Sequence, residues 1–158
     1  MPNTDLWSFA LACYARPGVE DACLELQAGG ADVCLLLCAA WLQARGIACT
    51  APRLRRLTHL ATPWQRQVVQ PLRQLRQAWR PCADEDPTLR PLREKLKVLE
   101  LEAERALLVK LQEASQAWQP GPGPAEWLAQ LRPAGDCRAA LDILRHAAQQ
   151  TQLALLGD

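Results

Sequence analysis

A chain of 158 residues that is 49% hydrophobic and 22% charged can build one domain with its own core, and this composition excludes a disordered protein. Its 18 lysines and arginines oppose 17 aspartates and glutamates, which gives a net charge of +1 and excludes a globally basic nucleic-acid-binding surface. Any charged partner must therefore recognise a local patch.

The N-terminal third predicts three short helices. The first can be capped by Asn3 or Thr4, and the second begins at Pro17 and ends at a pair of glycines. The third, residues 31–46, is apolar on nearly every side, so we expect it in the centre of the core with Leu36, Leu37 and Trp41 nearly fully buried. Its uncharged run is too short for a membrane span, which needs about 20 residues.

Residues 63–118 predict a long antiparallel helical hairpin. Pro63, with Thr62 as its cap, is expected to start the first helix, and Pro71 is expected to kink it or shift its start. A polar turn at 81–87 leads to the second helix, 88–118. One apolar stripe should pack against the other, and these two stripes are Val68, Leu72, Leu75 and Trp79 on the first helix and Leu92, Leu96 and Leu99 on the second.

The sequence QPGPGP at 119–124 is too rich in proline and glycine for regular structure and is interpreted as a hinge. Beyond it, one short helix around Trp127 and a last helix capped by Asp136 are expected to attach loosely. No stretch shows the alternation of a strand. The predicted fold is an all-α, compact helical bundle, divided into a core domain with its hairpin (1–118), the hinge (119–124) and a C-terminal helical segment (125–158).

Seven cysteines, an odd number without a Cys-x-x-Cys pair, predict neither a disulfide framework nor structural zinc. Four of them lie among apolar residues at helical spacing and are interpreted as core residues: Cys13, Cys23, Cys34 and Cys38. The start of the chain, MPNTDLWSF, has no basic leader and no long apolar run, so we expect a cytoplasmic protein without a secretion signal.

Four blocks carry a resemblance to a known family: LWSFALACYAR, PGVEDACLELQ, ADVCLLLCAAWLQARG and PWQRQVVQPLRQLR. In this order they resemble a family of conserved, uncharacterised proteobacterial proteins, known as a domain of unknown function, over about residues 4–118. The resemblance implies no activity. Cys34 and Cys38 stand where relatives are expected to carry aliphatic or aromatic residues, which supports the core interpretation of these thiols.

Residues 46–83 contain no acidic residue, and arginines recur there on one predicted helix face. The candidate binding residues are Trp64, Arg66, Arg73, Arg76 and Arg80. Three interpretations compete: ion pairs with the next helix, an anionic protein or nucleic acid, and an anionic membrane surface. Internal pairing is favoured, because the acid-rich turn and the helix that follow balance the charge.

Two carboxylate pairs at i, i+4 spacing, Asp21 with Glu25 and Glu100 with Glu104, suggest an alternative. On facing helices they could hold magnesium against a diphosphate, as in helical prenyl-transfer enzymes. Pairing of Glu100 and Glu104 with basic neighbours of the same helix explains them more simply. The histidines, His59 and His146, lie in no nucleophile or metal motif, so no catalytic residue, metal or cofactor is predicted.

The leading functional hypothesis is a non-enzymatic cytoplasmic interaction or adaptor protein. Its expected partner is a protein with an acidic surface, and a homo-oligomer through the long hairpin is a further hypothesis. Nucleic acid and anionic membrane surfaces are less favoured partners. The alternative function is a small magnesium-dependent helical enzyme that acts on phosphorylated lipid-like substrates.

Overall fold

The computed structural model describes residues 5–157, and all regular structure among them is helical. In chain order the elements are α1 (Leu6–Tyr14), α2 (Val19–Ala28), α3 (Val33–Ala44), α4 (Ala51–Trp64), a π-helical segment (Gln65–Val69), α5 (Gln70–Glu85), α6 (Leu89–Ser115), α7 (Trp127–Gln130) and α8 (Arg138–Leu156). The predicted all-α bundle is confirmed.

Helix α3 is the centre of the bundle. Every residue from 34 to 42 is buried, because α1, α4, α6, α7 and α8 all pack around this helix. Leu36 is 1% exposed, Leu37 6% and Trp41 1%, so the predicted central helix is confirmed. The Asp32 carboxylate caps it by accepting the Leu35 N–H at 3.2 Å.

Helix α1 is capped by a residue that the sequence analysis did not select. Asp5 accepts the Ser8 N–H at 2.8 Å, while Asn3 and Thr4, the predicted caps, lie outside the described residues. The turn between α1 and α2 is closed by Gly18, whose φ of 82° belongs to the left-handed region.

Helix α4, the π segment and α5 form one continuous helix from residue 51 to 85, so the predicted start at Pro63 is wrong. The residues that begin this helix lie earlier in the chain than Pro63. Thr50 caps the helix by accepting the Arg53 N–H at 3.4 Å, and a proline follows in the first turn. Within the π segment the Gln70 N–H donates to the Gln65 carbonyl, five residues back. The extra residue in this turn accommodates Pro71, which has no N–H to give to the ladder.

The predicted antiparallel hairpin exists, with a shorter turn than expected. Helix α5 continues through Pro81 to Glu85, and only residues 86–88 separate it from α6, where Asp86 accepts the Thr88 N–H at 2.9 Å. Leu96 is buried between the helices, as predicted. The rest of the two stripes is not: Val68, Leu72 and Trp79 are half-buried, and Leu75, Leu92 and Leu99 are exposed.

The C-terminal segment is an integral part of the core, so the predicted loose attachment is wrong. Trp127 is fully buried, stacks on Trp118 at 5.9 Å and donates its indole N–H to the Ile47 carbonyl at 2.7 Å. Helix α8 lies on α2 and α3 with its apolar stripe inward, which seals a side of α3 that the first 118 residues leave open. Residues 119–124 lack regular structure, and the domain boundary there stays a prediction.

The cysteines behave as small hydrophobic residues. All seven are free thiols, and Cys13, Cys23, Cys34 and Cys38 are buried, as predicted. Burial raises the pKa of the Cys13 thiol and raises that of Cys23 to about 12, so both stay protonated and unreactive at neutral pH. Among residues 5–157 no helix combines the length and the apolar character that crossing a membrane requires.

Candidate functional site

Four charged residues meet between α5 and α6 and form an Arg–Glu cluster: Arg73, Arg76, Glu100 and Glu104. Arg73 donates from Nε to Glu100 at 3.1 Å and from Nη2 to Glu104 at 3.5 Å. Arg76 donates to Glu100 from both Nε and Nη2. The Glu100 side chain is only 8% exposed, so this carboxylate is desolvated and depends on its two guanidinium partners.

The two glutamates of the cluster differ in how well arginines compensate their charge. The hydrogen bond that Arg76 donates to Glu100 raises the pKa of Arg76, which reflects a well-compensated pair. Burial raises the pKa of Glu104. Arg73, which contacts this carboxylate, lowers the pKa by a smaller amount. The Gln27 side chain, with its amide oxygen turned toward Arg73, accepts from Nη2 at 3.1 Å and links the cluster to α2.

The cluster forms one end of a cleft of about 490 Å³ between α1, α2, α3 and the hairpin. Most of the lining is apolar or aromatic and includes Trp7, Tyr14 and Leu37. The cleft is open to solvent on one side, where Leu11, Leu24 and Leu101 are each 52% exposed. Small-molecule sites commonly have this volume and this mixture of apolar walls and a few polar groups.

A further carboxylate, Glu20, lines the cleft with Tyr14. Burial raises the pKa of the Tyr14 hydroxyl, and the negative charges of Glu20 and Glu104 raise it further. Three carboxylates and two guanidiniums therefore line the cleft, Glu20, Glu100 and Glu104 against Arg73 and Arg76, so its charged groups sum to −1. The sequence pattern gave no indication of this cleft, because five helices supply its walls.

The candidate binding residues predicted from the sequence lie in different environments. Arg73 and Arg76 belong to the Arg–Glu cluster, whereas Arg66 and Arg80 are exposed. Trp64 is half-buried: its indole N–H donates to the Ala103 carbonyl at 2.8 Å, and the Lys110 Nζ lies 4.7 Å from its ring centroid. Internal pairing thus accounts for two of the four arginines.

Three further basic residues lie exposed on the same long helix: Arg55, Arg56 and His59. Together with Arg66 and Arg80 they are called the exposed basic residues. The sequence signal that could have found them is the acid-free run from 46 to 83, which includes α4 as well as α5. Arg53 is different, because it lies over the Trp118 ring at 5.0 Å and donates to the Ala48 carbonyl.

The two carboxylate pairs of the magnesium alternative are not brought together. Glu100 and Glu104 are paired with arginines, while Asp21 and Glu25 are exposed on α2 and do not line the cleft. Across residues 5–157 no group of three or more histidine, cysteine or acidic side chains is arranged to hold a metal ion.

The opposite side of the hairpin carries an uncovered apolar flank, which consists of Val68, Leu72, Leu75, Trp79, Leu92 and Leu99. Periods of four and seven residues place these side chains on one side of each helix. Val68, Leu72 and Leu99 line a shallow groove of about 460 Å³ with Glu102 at its edge. Leu75 is 42% exposed, Leu92 48% and Leu99 49%, so water contacts much of this surface.

The sequence model of one protein family, described as "Protein of unknown function (DUF2390)", matches residues 5–111. The matched range contains every residue of the Arg–Glu cluster and of the apolar flank. Among curated proteins and among solved structures, none matches the chain.

Proposed function

We propose, for a chain that belongs to the DUF2390 family of proteins of unknown function, a role as a non-enzymatic interaction or adaptor protein of the cytoplasm. The hairpin is the binding element. Its apolar flank pairs with the same flank of a second copy, and its exposed basic residues contact an acidic protein. The observation that carries the proposal is the uncovered apolar flank on a hairpin whose two helices are joined by ion pairs.

The size of the flank supports a stable interface. From Val68 to Trp79 the long helix advances about 16 Å, and two adjacent helices are about 20 Å wide with their side chains. With the side chains at both ends, the face covers about 500 Å² per copy, or about 1,000 Å² for a pair, which is the lower bound for a specific interface. Apolar patches of this extent usually mark interaction sites.

Charge at the edge of the flank favours a second copy as its occupant. Lys95 and Glu102 of α6 are exposed and lie seven residues apart on one side of the helix, with Leu99 between them. When two hairpins pack antiparallel about a two-fold axis, Lys95 of each copy faces Glu102 of the other, so the same ion pair forms twice. The product is a four-helix bundle, a common arrangement for two hairpins.

The exposed basic residues remain available in such a dimer. On the long helix the exposed arginines and the apolar flank lie on different sides, so the pairing of two flanks leaves Arg66 and Arg80 in solvent. An acidic partner bound there is attracted by charges that salt can screen. The magnesium-dependent alternative is not favoured, because arginines already occupy Glu100 and Glu104. Seven free thiols fit the reducing conditions of the cytoplasm.

The oligomeric state tests the proposal. Sedimentation velocity of the whole chain should show a dimer, and Leu75→Gln combined with Leu99→Gln should give a folded monomer, because both side chains are exposed within the subunit. Leu153→Gln is the matched control, since Leu153 is 71% exposed on α8, and it should leave the dimer intact. Wild-type protein that stays monomeric at its highest soluble concentration would refute the pairing.

Charge reversal tests the arrangement of the pair. Lys95→Glu and Glu102→Lys should each weaken the dimer, and the double variant should restore it, since the pair re-forms with the opposite polarity. For the acidic partner, a labelled polyglutamate peptide serves as the probe. Arg55→Gln with Arg56→Gln and Arg66→Gln should weaken its capture, and added salt should weaken capture by the wild type.

A further inference from the structure

The cleft on the charged side of the hairpin lies apart from the surface that pairs in the proposed dimer. It lies between the hairpin and helices α1, α2 and α3, whereas the apolar flank is on the other side of α5 and α6. A ligand bound in the cleft would therefore differ from the protein that the hairpin binds. The cleft volume of about 490 Å³ is that of a small-molecule site.

The charged end of the cleft has little capacity for an anion. Arg73 and Arg76 each have their Nε and Nη2 engaged by Glu100 or Glu104, and Gln27 also accepts from Arg73. An incoming carboxylate or phosphate would have to displace these bonds and would face uncompensated acidic groups. The guanidiniums therefore support the two glutamates and do not form an open anion site.

The same end has a deficit of positive charge. Glu100 receives two arginines, whereas Glu104 has one contact at 3.5 Å and Glu20 belongs to no ion pair within residues 5–157. The Glu104 side chain is still 30% exposed, so a ligand can reach it. Tyr14 adds an aromatic ring, whose face attracts an organic cation. The rest of the lining is mostly apolar and includes the exposed Leu11, Leu24 and Leu101.

We propose that this cleft binds a small amphiphilic organic amine, with its ammonium group beside Glu104 and Tyr14 and its hydrocarbon chain between Leu24 and Leu101. The ammonium supplies the missing positive charge, and the chain covers apolar surface that is otherwise exposed to water. Desolvation raises the pKa of Glu104 in the unliganded protein, and a bound cation relieves part of that cost.

Titration calorimetry with three ligands of equal chain length tests the proposal, each below its micelle concentration: decylamine, decanoate and decanol. Decylamine should bind at least about tenfold more tightly than decanoate, with decanol in between. Glu104→Gln should weaken decylamine about tenfold and leave decanol unchanged, because only the ammonium uses the carboxylate. Glu113→Gln is the matched control, since this glutamate of the same helix is exposed and does not line the cleft.

A second variant keeps the test decisive if Glu104→Gln unfolds. Leu24 is half exposed at the mouth of the cleft, so Leu24→Lys should fold and place a competing ammonium there. It should weaken decylamine, while Leu153→Lys, on the exposed side of α8, should have no effect. Decanoate that binds as tightly as decylamine, decylamine that does not bind at all, or an affinity that both cleft variants leave unchanged would overturn the proposal.

Discussion

Glu100→Gln is the change that most directly tests whether the arginines of α5 serve the fold. The substitution keeps the shape of the side chain and removes the one carboxylate, among residues 5–157, that contacts both Arg73 and Arg76. Removing one partner of a buried ion pair typically costs about 3 to 5 kcal/mol, because the other charge stays buried and unpaired. Here the guanidiniums are 21% and 27% exposed and Glu104 still contacts Arg73, so we expect about 2 to 3 kcal/mol.

For a chain of this length about 2 to 4 °C of melting temperature corresponds to 1 kcal/mol, so the midpoint should fall by about 5 to 10 °C. Urea unfolding followed by far-ultraviolet circular dichroism gives the free energy directly. Glu113→Gln, on the same helix but exposed, should leave the midpoint almost unchanged. A double-mutant cycle with Arg76→Gln should give a coupling energy of about 1 to 3 kcal/mol.

Equal melting temperatures for Glu100→Gln and Glu113→Gln would refute the structural role of the cluster. The arginines give an independent check. Arg73→Gln should lower stability as Glu100→Gln does, whereas Arg66→Gln with Arg80→Gln should lower it little, because exposed charges contribute about 0 to 1 kcal/mol each. An equal loss of stability for all of these substitutions would mean that the paired Arg73 contributes no more to the fold than the exposed Arg66 and Arg80.

Three further outcomes are expected. Leu37→Ala should cost about 2 to 5 kcal/mol in urea unfolding and Leu37→Asp should prevent folding, since this side chain is 6% exposed in the central helix. Burial raises the pKa of Asp32 from 3.8 to about 6, so the folded state binds this proton more tightly than the unfolded state does. The stability of the wild type relative to Asp32→Asn should therefore fall as the pH rises from about 4 to about 6. A rise in relative stability over this range would contradict the raised pKa. Helicity measured by circular dichroism should be the same with reductant or with a zinc chelator, because all seven thiols are free; loss of helicity with the chelator would contradict this.

Periodicity and end signals were sufficient for the N-terminal helices. The run around Trp41 is apolar on all sides, which leaves a central position as its only favourable environment in water. Proline was a poorer guide. Pro63 and Pro81 both lie inside helices. Burial of Leu57, Ala61 and Val69 on either side of Pro63 offsets the local cost of that proline.

The site was less accessible from the sequence. Arg73 and Arg76 were predicted as candidate binding residues with internal pairing as the favoured interpretation, but their partners became visible only when the short turn at 86–88 fixed the register of the hairpin. The cleft depends on residues far apart in the chain, such as Tyr14, Arg73 and Glu104, and no local pattern relates them. The predicted loose attachment of the C-terminal segment is wrong because Trp127 donates to the Ile47 carbonyl in the core. Periodicity cannot reveal such a contact.

The π-helical turn at 65–69 makes the hairpin sensitive to the length of the chain. Each residue of an α-helix turns the following ones by about 100°, so deleting one residue here would restore a regular helix and rotate everything beyond it by about that angle. Arg73 and Arg76 would leave Glu100, and the apolar flank would turn away from its counterpart on α6. Homologues should therefore tolerate changes of residue type in this turn far better than a change in its number of residues.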